Sequence, residues 1–434
     1  MLFLVEIEES CDLFTGLTLL IELAGLCISN TINLPFGDDV AVVLITWCSI
    51  AFFIDILIWR KSTWFKTSLL AAYAIRIVMI ALLANGNVPF LSSSDADAFW
   101  SATLLKASGS GSTVYGTLFT TLMGRLTQII GVNRLFEQYL LMLVSIGSIL
   151  VLTKTLKCIG VCDKARNITV TIVCLLPSFA LTSSDFIRES LICFCVTTSL
   201  SFFIDWMLNS GISNIVLAFT MCLLASAFHS GTIAVAIGYI ICLMVYDQKK
   251  KAFTTNAFNI ILALIIGGIL LVLYTNYSDV LFFKMTKVES IEDVAITYGG
   301  NASYAQYVGD SNTLTRFIMY TPLRMLYFIA SPIPWHWRGI ADAVGFCFDA
   351  IYYIVSVLFM LPSLSRRRTY ISDRRSLAIG VMIIILVVTL VFGWGCSNSA
   401  QAMRHRCKSI AVFSIAFAIG LDNLMQRKLK AMDN

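Results

Sequence analysis

Charged residues are scarce in this chain, and their scarcity excludes a water-soluble domain. Of the 434 residues only 13% are Asp, Glu, Lys or Arg, whereas 58% are hydrophobic, and the mean hydropathy is +0.82. A soluble protein cannot bury that much apolar surface, so the lipid bilayer must act as the solvent. The composition therefore predicts a membrane protein, and the length of its apolar runs favours helices.

Histidine and basic N-terminal residues are also few. The chain has three histidines, which are His229, His336 and His405. The first twelve residues contain four acidic side chains and no Lys or Arg, so they lack the basic region of a cleaved secretory signal. We therefore expect the first apolar run to remain as a permanent anchor. The net charge of +5 follows from the loops between spans and does not indicate a nucleic-acid partner.

Apolar runs long enough, or nearly long enough, to cross a bilayer recur along the whole chain. They predict an all-α, polytopic membrane helix bundle of about twelve transmembrane helices, forming a single integral membrane domain over residues 1–434. The predicted spans are Leu13–Ser29, Ala41–Trp59, Thr67–Ala84, Leu135–Thr153, Ile168–Leu181, Ser190–Leu208, Ile215–Phe228, Gly231–Tyr246, Ala257–Thr275, Gly339–Leu361, Leu377–Trp394 and Ile410–Met425.

Lysine and arginine cluster in alternate loops, and this clustering predicts the orientation. Basic groups such as Lys249–Lys251, Arg366–Arg375 and Arg427–Lys430 belong on the cytoplasmic side, because cationic loops are translocated poorly. Both termini are then predicted to lie in the cytoplasm.

Two regions on the opposite side depart from simple spans. Residues 86–134 are predicted as an outer loop that contains an interfacial helix, Tyr115–Ile130. Residues 276–338 are predicted as a large outer loop. Its segment Arg316–Trp337 has Arg324 at its middle and three prolines, so we expect a re-entrant or surface-lying helix there.

Two carboxylates in the first outer loop are candidates for acid–base chemistry. Asp95 and Asp97 stand two residues apart, just before Phe99 and Trp100. One could act as a general base while the other tunes its pKa. Alternatively, the pair could bind a divalent cation, although the expected chemistry does not require one. The alternative is an acidic loop beside an interfacial aromatic anchor. No residue is assigned as a metal ligand, and no cofactor is expected.

A cationic cluster precedes the last span. Arg404, His405 and Arg406, followed by Lys408, could bind a dianionic or pyrophosphate group through charge-assisted hydrogen bonds. A charge patch that merely stops translocation belongs on the cytoplasmic side, and this cluster is predicted on the opposite side. Arg324 is a second candidate donor for the same anion.

Three further groups are substrate-binding candidates with simpler alternatives. Arg188 lies near a membrane boundary and could contact substrate, or it could form a local salt bridge with Asp185 or Glu189. His229 lies in a short turn, where a histidine is more often a structural residue bonded to the backbone than a ligand. Trp335 and Trp337 could form a wall for a sugar ring or only cap a membrane helix.

Cys396 and Cys407 bracket the loop that contains the cationic cluster. A disulfide between them would need an oxidising compartment. The sequence leaves this pairing open.

The order of these motifs resembles a family. An outer Asp-x-Asp-x-Phe-Trp loop is followed by Ser183–Glu189, a histidine turn, Ser331–Trp335 and Met403–Arg406 before the last span. This order is similar to that of bacterial oligosaccharide repeat-unit polymerases, which build O-antigen and capsule, and of the related GT-C glycosyltransferases. The chain lacks the two matched arginine-rich periplasmic loops that are usual in the polymerases.

The resemblance implies a many-helix bundle in the bacterial inner membrane with its active site at the periplasmic face. The implied substrate is an undecaprenyl-pyrophosphate-linked oligosaccharide, and the implied partners are membrane lipid, a chain-length regulator and a flippase. The cations Arg404, His405 and Arg406 would then stabilise the leaving pyrophosphate, and Asp95 or Asp97 would act as base.

Three alternatives remain open at this point. The chain could be a GT-C-type transferase that uses a polyprenyl-phosphate sugar, a flippase or other transporter, or a scaffold without catalytic activity. A carrier should place ionisable groups at mid-membrane and show two related halves. The few charges within spans and the lack of an internal repeat favour an enzyme, a glycosyltransferase.

Overall fold

The computed structural model describes residues 13–84, 94–110, 117–254, 303–308, 314–365 and 372–433, with four more positions between 261 and 268. In these residues the regular structure is helical, apart from one antiparallel pair of two-residue strands, β1 (Tyr246–Asp247) and β2 (Ala252–Phe253). The all-α class is therefore confirmed.

The α-helices are numbered in chain order. They are α1 Leu13–Thr31, α2 Asp38–Ile58, α3 Thr63–Ala84, α4 Ser94–Ala107, α5 Thr117–Ile130, α6 Arg134–Cys158, α7 Asp163–Leu175, α8 Pro177–Ser184, α9 Glu189–Asn209, α10 Ile212–Phe228, α11 Ile233–Val245, α12 Ala305–Val308, α13 Leu314–Ala330, α14 Ile340–Val344, α15 Ile351–Met360, α16 Ser372–Gly395, α17 Ser399–Lys408 and α18 Ile410–Asp433. A π-helical turn, Gly345–Ala350, joins α14 to α15.

Eight helices in the described ranges are long and apolar enough to cross a membrane, so the chain is a multi-pass membrane protein. A ninth crossing is formed if α7 and α8, which meet at a bend of 53°, count as one span. Three shorter apolar helices complete the set, namely Ile212–Phe228, Ser230–Val245 and Ile318–Ala330. The predicted span Ala257–Thr275 lies almost entirely outside the described residues. The total of about twelve spans and the side of each terminus stay predictions.

The chain divides into two compact units. Unit 1 comprises Met1–Ile146 and Ala180–Arg188, and unit 2 comprises Gly147–Phe179 and Glu189–Asn434. In unit 1, α1 packs against α2 and α5, and α4 packs against α5. Only 11% of the apolar stretch of α1 is buried, so most of its surface is available to lipid.

Unit 2 is built around two nearly enclosed helices. The apolar stretches of α9 and α18 are 78% and 72% buried, and α9 packs on α10 while α18 packs on α15. Helix α16 packs against both α11 and α13. A small residue permits the close approach of α16 to α13, because a Cβ at Gly393 would come within 3.2 Å of the Arg324 backbone.

The first outer loop is more ordered than the sequence predicted. Asp95 and Asp97 do not lie in a loop, as expected, but in the first turn of α4. Carboxylates are favourable at that end of a helix because of its dipole. The interfacial segment is helical as predicted and forms α5.

The second outer loop is described only in part. Residues 276–302 and 309–313 lie outside the described residues, as do the predicted cytoplasmic residues Arg366, Arg367 and Arg368. The segment predicted to be re-entrant contains the helix α13, which includes Pro322 and ends before Pro332. Its depth in the membrane stays a prediction.

Candidate functional site

The cationic cluster lies on α17, a ten-residue helix immediately before α18. The side chain of Asn398 caps its start by accepting hydrogen bonds from the backbone N–H groups of Ala400 (2.8 Å) and Gln401 (3.2 Å). The basic residues occupy its last turns, where the helix dipole favours positive charge. Local sequence thus accounts for both the helix and the position of its cations.

A buried carboxylate binds two of these cations. Arg404 Nη2 donates to Glu189 Oε1 at 2.8 Å, and Lys408 Nζ lies 3.5 Å from the same oxygen. The Glu189 side chain is 2% exposed and that of Lys408 is 1% exposed, whereas Arg404 is partly accessible at 21%. The cluster therefore buries one negative and one positive charge and leaves a second, partly exposed, positive charge at its surface.

Two of the three histidines lie together, and one of them, His405, follows Arg404 directly in α17. The rings of His229 and His405 are 4.7 Å apart at 89°, and the ring of Phe392 lies 5.1 Å from that of His405. His229 Nδ1 accepts a hydrogen bond from the Gly231 backbone N–H at 3.1 Å. The neutral His229 ring must therefore carry its proton on Nε2.

Arg406 is turned away from the surface. It is fully buried, and Nη1 donates to the carbonyl oxygens of Phe328 (2.7 Å) and Ile329 (2.9 Å) in the last turn of α13. Its guanidinium lies 5.3 Å from the centre of the Tyr353 ring. Burial lowers the pKa of Arg406 from its usual value, and the nearby Tyr353 ring counteracts this. The side chain thus fastens α17 to α13.

Other buried polar groups surround Arg406. Arg324 is buried and stacks 4.1 Å over the ring of Trp394. Burial raises the pKa of Tyr304 well above its ordinary range, although Arg406 and Arg324 oppose the shift, so its hydroxyl stays protonated. The backbone N–H of Tyr304 donates to the Ser397 carbonyl at 2.8 Å, which fixes this segment to the start of α17.

The two predicted tryptophans lie between α13 and α14 and differ in exposure. Trp335 is 74% exposed, whereas Trp337 is 39% exposed and donates its indole N–H to the Pro332 carbonyl at 3.0 Å. Arg338 beside them forms hydrogen bonds with Asp342 at 2.6 and 2.7 Å, and these raise the pKa of Arg338. His336, the third histidine, stacks 4.2 Å from Tyr307.

The remaining predicted residues, Asp95, Asp97 and Arg188, belong to unit 1. Asp97 is 67% exposed and accepts a hydrogen bond from Arg134 at 2.7 Å. Side chains two apart on a helix point in different directions, which does not favour the joint binding of a divalent cation by Asp95 and Asp97. The guanidinium of Arg188 lies 5.4 Å over the Phe99 ring.

Sequence reasoning missed the groups that hold the cluster together. The sequence suggests Glu189 only as a local partner of Arg188, because nothing in one sequence links it to Arg404, 215 residues away. Phe392 and Tyr353 resemble ordinary span residues and give no signal. Cys396 and Cys407 are both buried thiols that form no disulfide with each other, and burial raises the pKa of Cys396 to about 12.

Comparison with known proteins adds no relative to this description. No family model matches the chain, and no curated protein or solved structure matches it either. The family resemblance drawn from the motifs therefore stays a prediction, and a function for this chain rests on the residues of the site itself.

Proposed function

We propose that this protein is a glycosyltransferase that polymerises oligosaccharide repeat units carried on undecaprenyl pyrophosphate, at the periplasmic face of a bacterial inner membrane. The observation that supports this most is the cluster of Arg404, Lys408 and Glu189 beside the pair His229 and His405. The cluster offers a partly accessible cation, Arg404, and an imidazole ring. Transfer of a glycan from a lipid pyrophosphate needs both a cation for the leaving group and a base for the attacking hydroxyl.

In the proposed reaction an acceptor hydroxyl attacks the anomeric carbon of the lipid-linked glycan. The new glycosidic C–O bond forms as the bond between that carbon and the pyrophosphate oxygen breaks, and the electron pair leaves with the pyrophosphate. Arg404 offsets the charge that develops there by charge-assisted hydrogen bonds. Glu189 holds Arg404 in one orientation, so less ordering is needed when the substrate binds.

The proton of the attacking hydroxyl must pass to a base, and His405 suits this role better than His229. The Nδ1 lone pair of His229 already accepts the Gly231 N–H, and a second proton there would break that hydrogen bond. Asp95 and Asp97, the bases predicted from the sequence, are the alternative candidates for this step.

The other predicted residues take supporting roles in this proposal. Arg406 is fully buried, so we assign it to positioning α17 instead of contacting the pyrophosphate. Arg324 and Arg188 stay candidates for substrate contact, and Trp335 offers an exposed aromatic face on which a sugar ring could stack. A chain-length regulator and a flippase are the partners that a polymerase of this class would need.

The test is the length distribution of surface polysaccharide in a deletion strain that expresses single variants. We expect Arg404→Ala and His405→Gln to collapse long chains to a single repeat unit while the protein level in the membrane is unchanged. Arg125→Ala is the control, because it removes an exposed arginine of α5 that donates to the Gln128 side chain and lies outside the proposed site; it should retain long chains.

Two results would redirect the proposal. Loss of even the first repeat unit in the deletion strain would indicate a transferase that acts earlier, such as a GT-C enzyme, or a flippase. Normal chain length in the Arg404→Ala strain would contradict the assignment of the site.

A further inference from the structure

A buried carboxyl in unit 1 has no part in the proposed reaction. Glu22 lies near the middle of α1 and is 7% exposed, although most of that helix is open to its surroundings. Neither carboxyl oxygen has a hydrogen-bond partner of normal geometry within the described part of the chain. An ionised carboxylate within a membrane is costly unless a cation compensates it.

No cation lies beside Glu22 on the described helices that pack against α1. The polar groups that interact with it are the thiol of Cys48 on α2 and the hydroxyl of Tyr73 on α3. The other ionisable groups of α2 have partners elsewhere, since Asp55 binds the start of α1 and Asp38 binds Asn133; Asp39 stands at the exposed start of α2. On α5 the one charged residue, Arg125, donates to Gln128.

A chain of hydroxyl hydrogen bonds joins three helices of unit 1 near this carboxyl. The hydroxyls of Tyr73 and Tyr139 are 2.8 Å apart, and that of Tyr73 is 2.8 Å from Ser49 Oγ. Ser49 Oγ donates to the carbonyl oxygen of Ile45 at 2.6 Å. The thiol of Cys48 interacts with Tyr139 on one side and with Glu22 on the other.

The direction of each hydrogen bond in this chain follows from counting protons, because a hydroxyl has only one to donate. Ser49 uses its proton on the Ile45 carbonyl, so Tyr73 must donate to Ser49 and Tyr139 must donate to Tyr73. Each hydroxyl proton is then used within the chain or on the Ile45 carbonyl, so the chain has no hydroxyl proton left to donate to Glu22.

We propose that Glu22 is a proton-binding site within the membrane, held as a neutral carboxylic acid because it is buried beside uncharged thiol and hydroxyl groups. This proposal is independent of the glycosyltransferase function, since it uses only residues of unit 1.

A hydrophobic carbodiimide tests the proposal, because it reacts with protonated carboxyls in apolar surroundings. The carboxyl oxygen bonds to the carbodiimide carbon and the acid proton moves to a nitrogen; acyl transfer from that oxygen to the nitrogen then gives a stable N-acylurea. We expect peptide mapping of the labelled full-length protein to find the adduct at Glu22. Labelling there should fall at alkaline pH and be absent in Glu22→Gln.

Asp55→Asn is the matched control. Asp55 is also buried in unit 1, but it accepts hydrogen bonds from the N–H groups of Phe14 and Thr15 and from the Thr15 hydroxyl, so both of its oxygens have donors. This variant should leave the adduct at Glu22 unchanged. Absence of an adduct at Glu22 in folded wild-type protein would overturn the proposal.

Infrared spectroscopy gives a second readout that does not depend on labelling. The wild type should show the C=O stretch of a protonated carboxylic acid at neutral pH, and this band should be missing from Glu22→Gln. An identical carboxylic-acid band in wild type and Glu22→Gln would refute the assignment.

Discussion

At the scale of single residues, the stability of the candidate site depends on how its charges are compensated. Glu189 is buried at 2% exposure between Arg404 and Lys408, and Lys408 is equally enclosed. Placing ions in such surroundings costs free energy that their mutual attraction offsets only while both are present. The Glu189 carboxylate therefore stabilises the fold by compensating the buried charge of Lys408.

Glu189→Gln should lower the free energy of unfolding by about 3–5 kcal/mol, the usual effect of removing one partner from a buried ion pair. The double variant Glu189→Gln with Lys408→Met should be more stable than the sum of the single changes predicts, because the buried cation is removed as well. Equilibrium unfolding of the purified variants in mixed micelles measures these free energies of unfolding.

An exposed pair in the same unit is the control. Asp163 is 83% exposed and bonds Arg166 at 2.5 Å, so Asp163→Asn should change the free energy of unfolding by less than about 1 kcal/mol. Equal losses of unfolding free energy in Glu189→Gln and Asp163→Asn would show that burial does not determine the strength of the Glu189 ion pair.

At the scale of elements, α17 presents the whole cationic cluster and depends on a single cap. Asn398 satisfies two backbone N–H groups at its start. Asn398→Ala should destabilise the protein by about 1 kcal/mol and reduce activity, because Arg404 and His405 lose their fixed position. Asn398→Asp, which keeps an accepting oxygen, should retain both properties. Comparison of thermal unfolding and polysaccharide length in the two variants checks this.

The close approach of α18 to α15 depends on a small residue, Gly420. A Cβ added to Gly420 would collide with the backbone carbonyl of Phe359, and small residues are what permit such contacts between membrane helices. Gly420→Ala should therefore lower the unfolding temperature. Gly16→Ala in α1 has open space around its Cβ and should be neutral or slightly stabilising. A neutral Gly420→Ala would contradict the packing.

The elements also show what a sequence can and cannot predict. Apolar length located the eight long apolar helices, and the pattern around Pro322 located α13, because both properties are local along the chain. The approach of Glu189 to Arg404 and of His229 to His405 could not be predicted, because it depends on how distant helices pack. Asp95 and Asp97 were expected in a loop, since the apolar face that makes α4 a helix is short and weak.

At the scale of the whole molecule, unit 2 has distinct groups of charges at the two ends of α16. Arg374, at one end, forms an ion pair with Asp422, whose carboxylate also accepts the backbone N–H of Cys162 at 3.2 Å. At the other end Phe392 contacts His405. The 22 residues of Arg374–Gly395 span about 33 Å, which is the thickness of a bilayer core.

This separation makes the predicted orientation testable. If the charge rule holds, the Arg374 end faces the cytoplasm and the Arg404 end faces the opposite side. Green fluorescent protein fused to the C-terminus or inserted at Lys250 should fluoresce, and alkaline phosphatase at the same positions should be inactive. Alkaline phosphatase inserted at the exposed Trp335 should be active.

The insertion at Trp335 decides the orientation, because the span Ile340–Leu364 separates it from the Arg374 end. Activity of alkaline phosphatase at Lys250 and its inactivity at Trp335 would show that the orientation is the reverse of the predicted one. The Arg404 cluster would then face the cytoplasm, where its cations are an ordinary stop-transfer patch, and the proposed reaction on a periplasmic lipid-linked glycan would lose its topological basis.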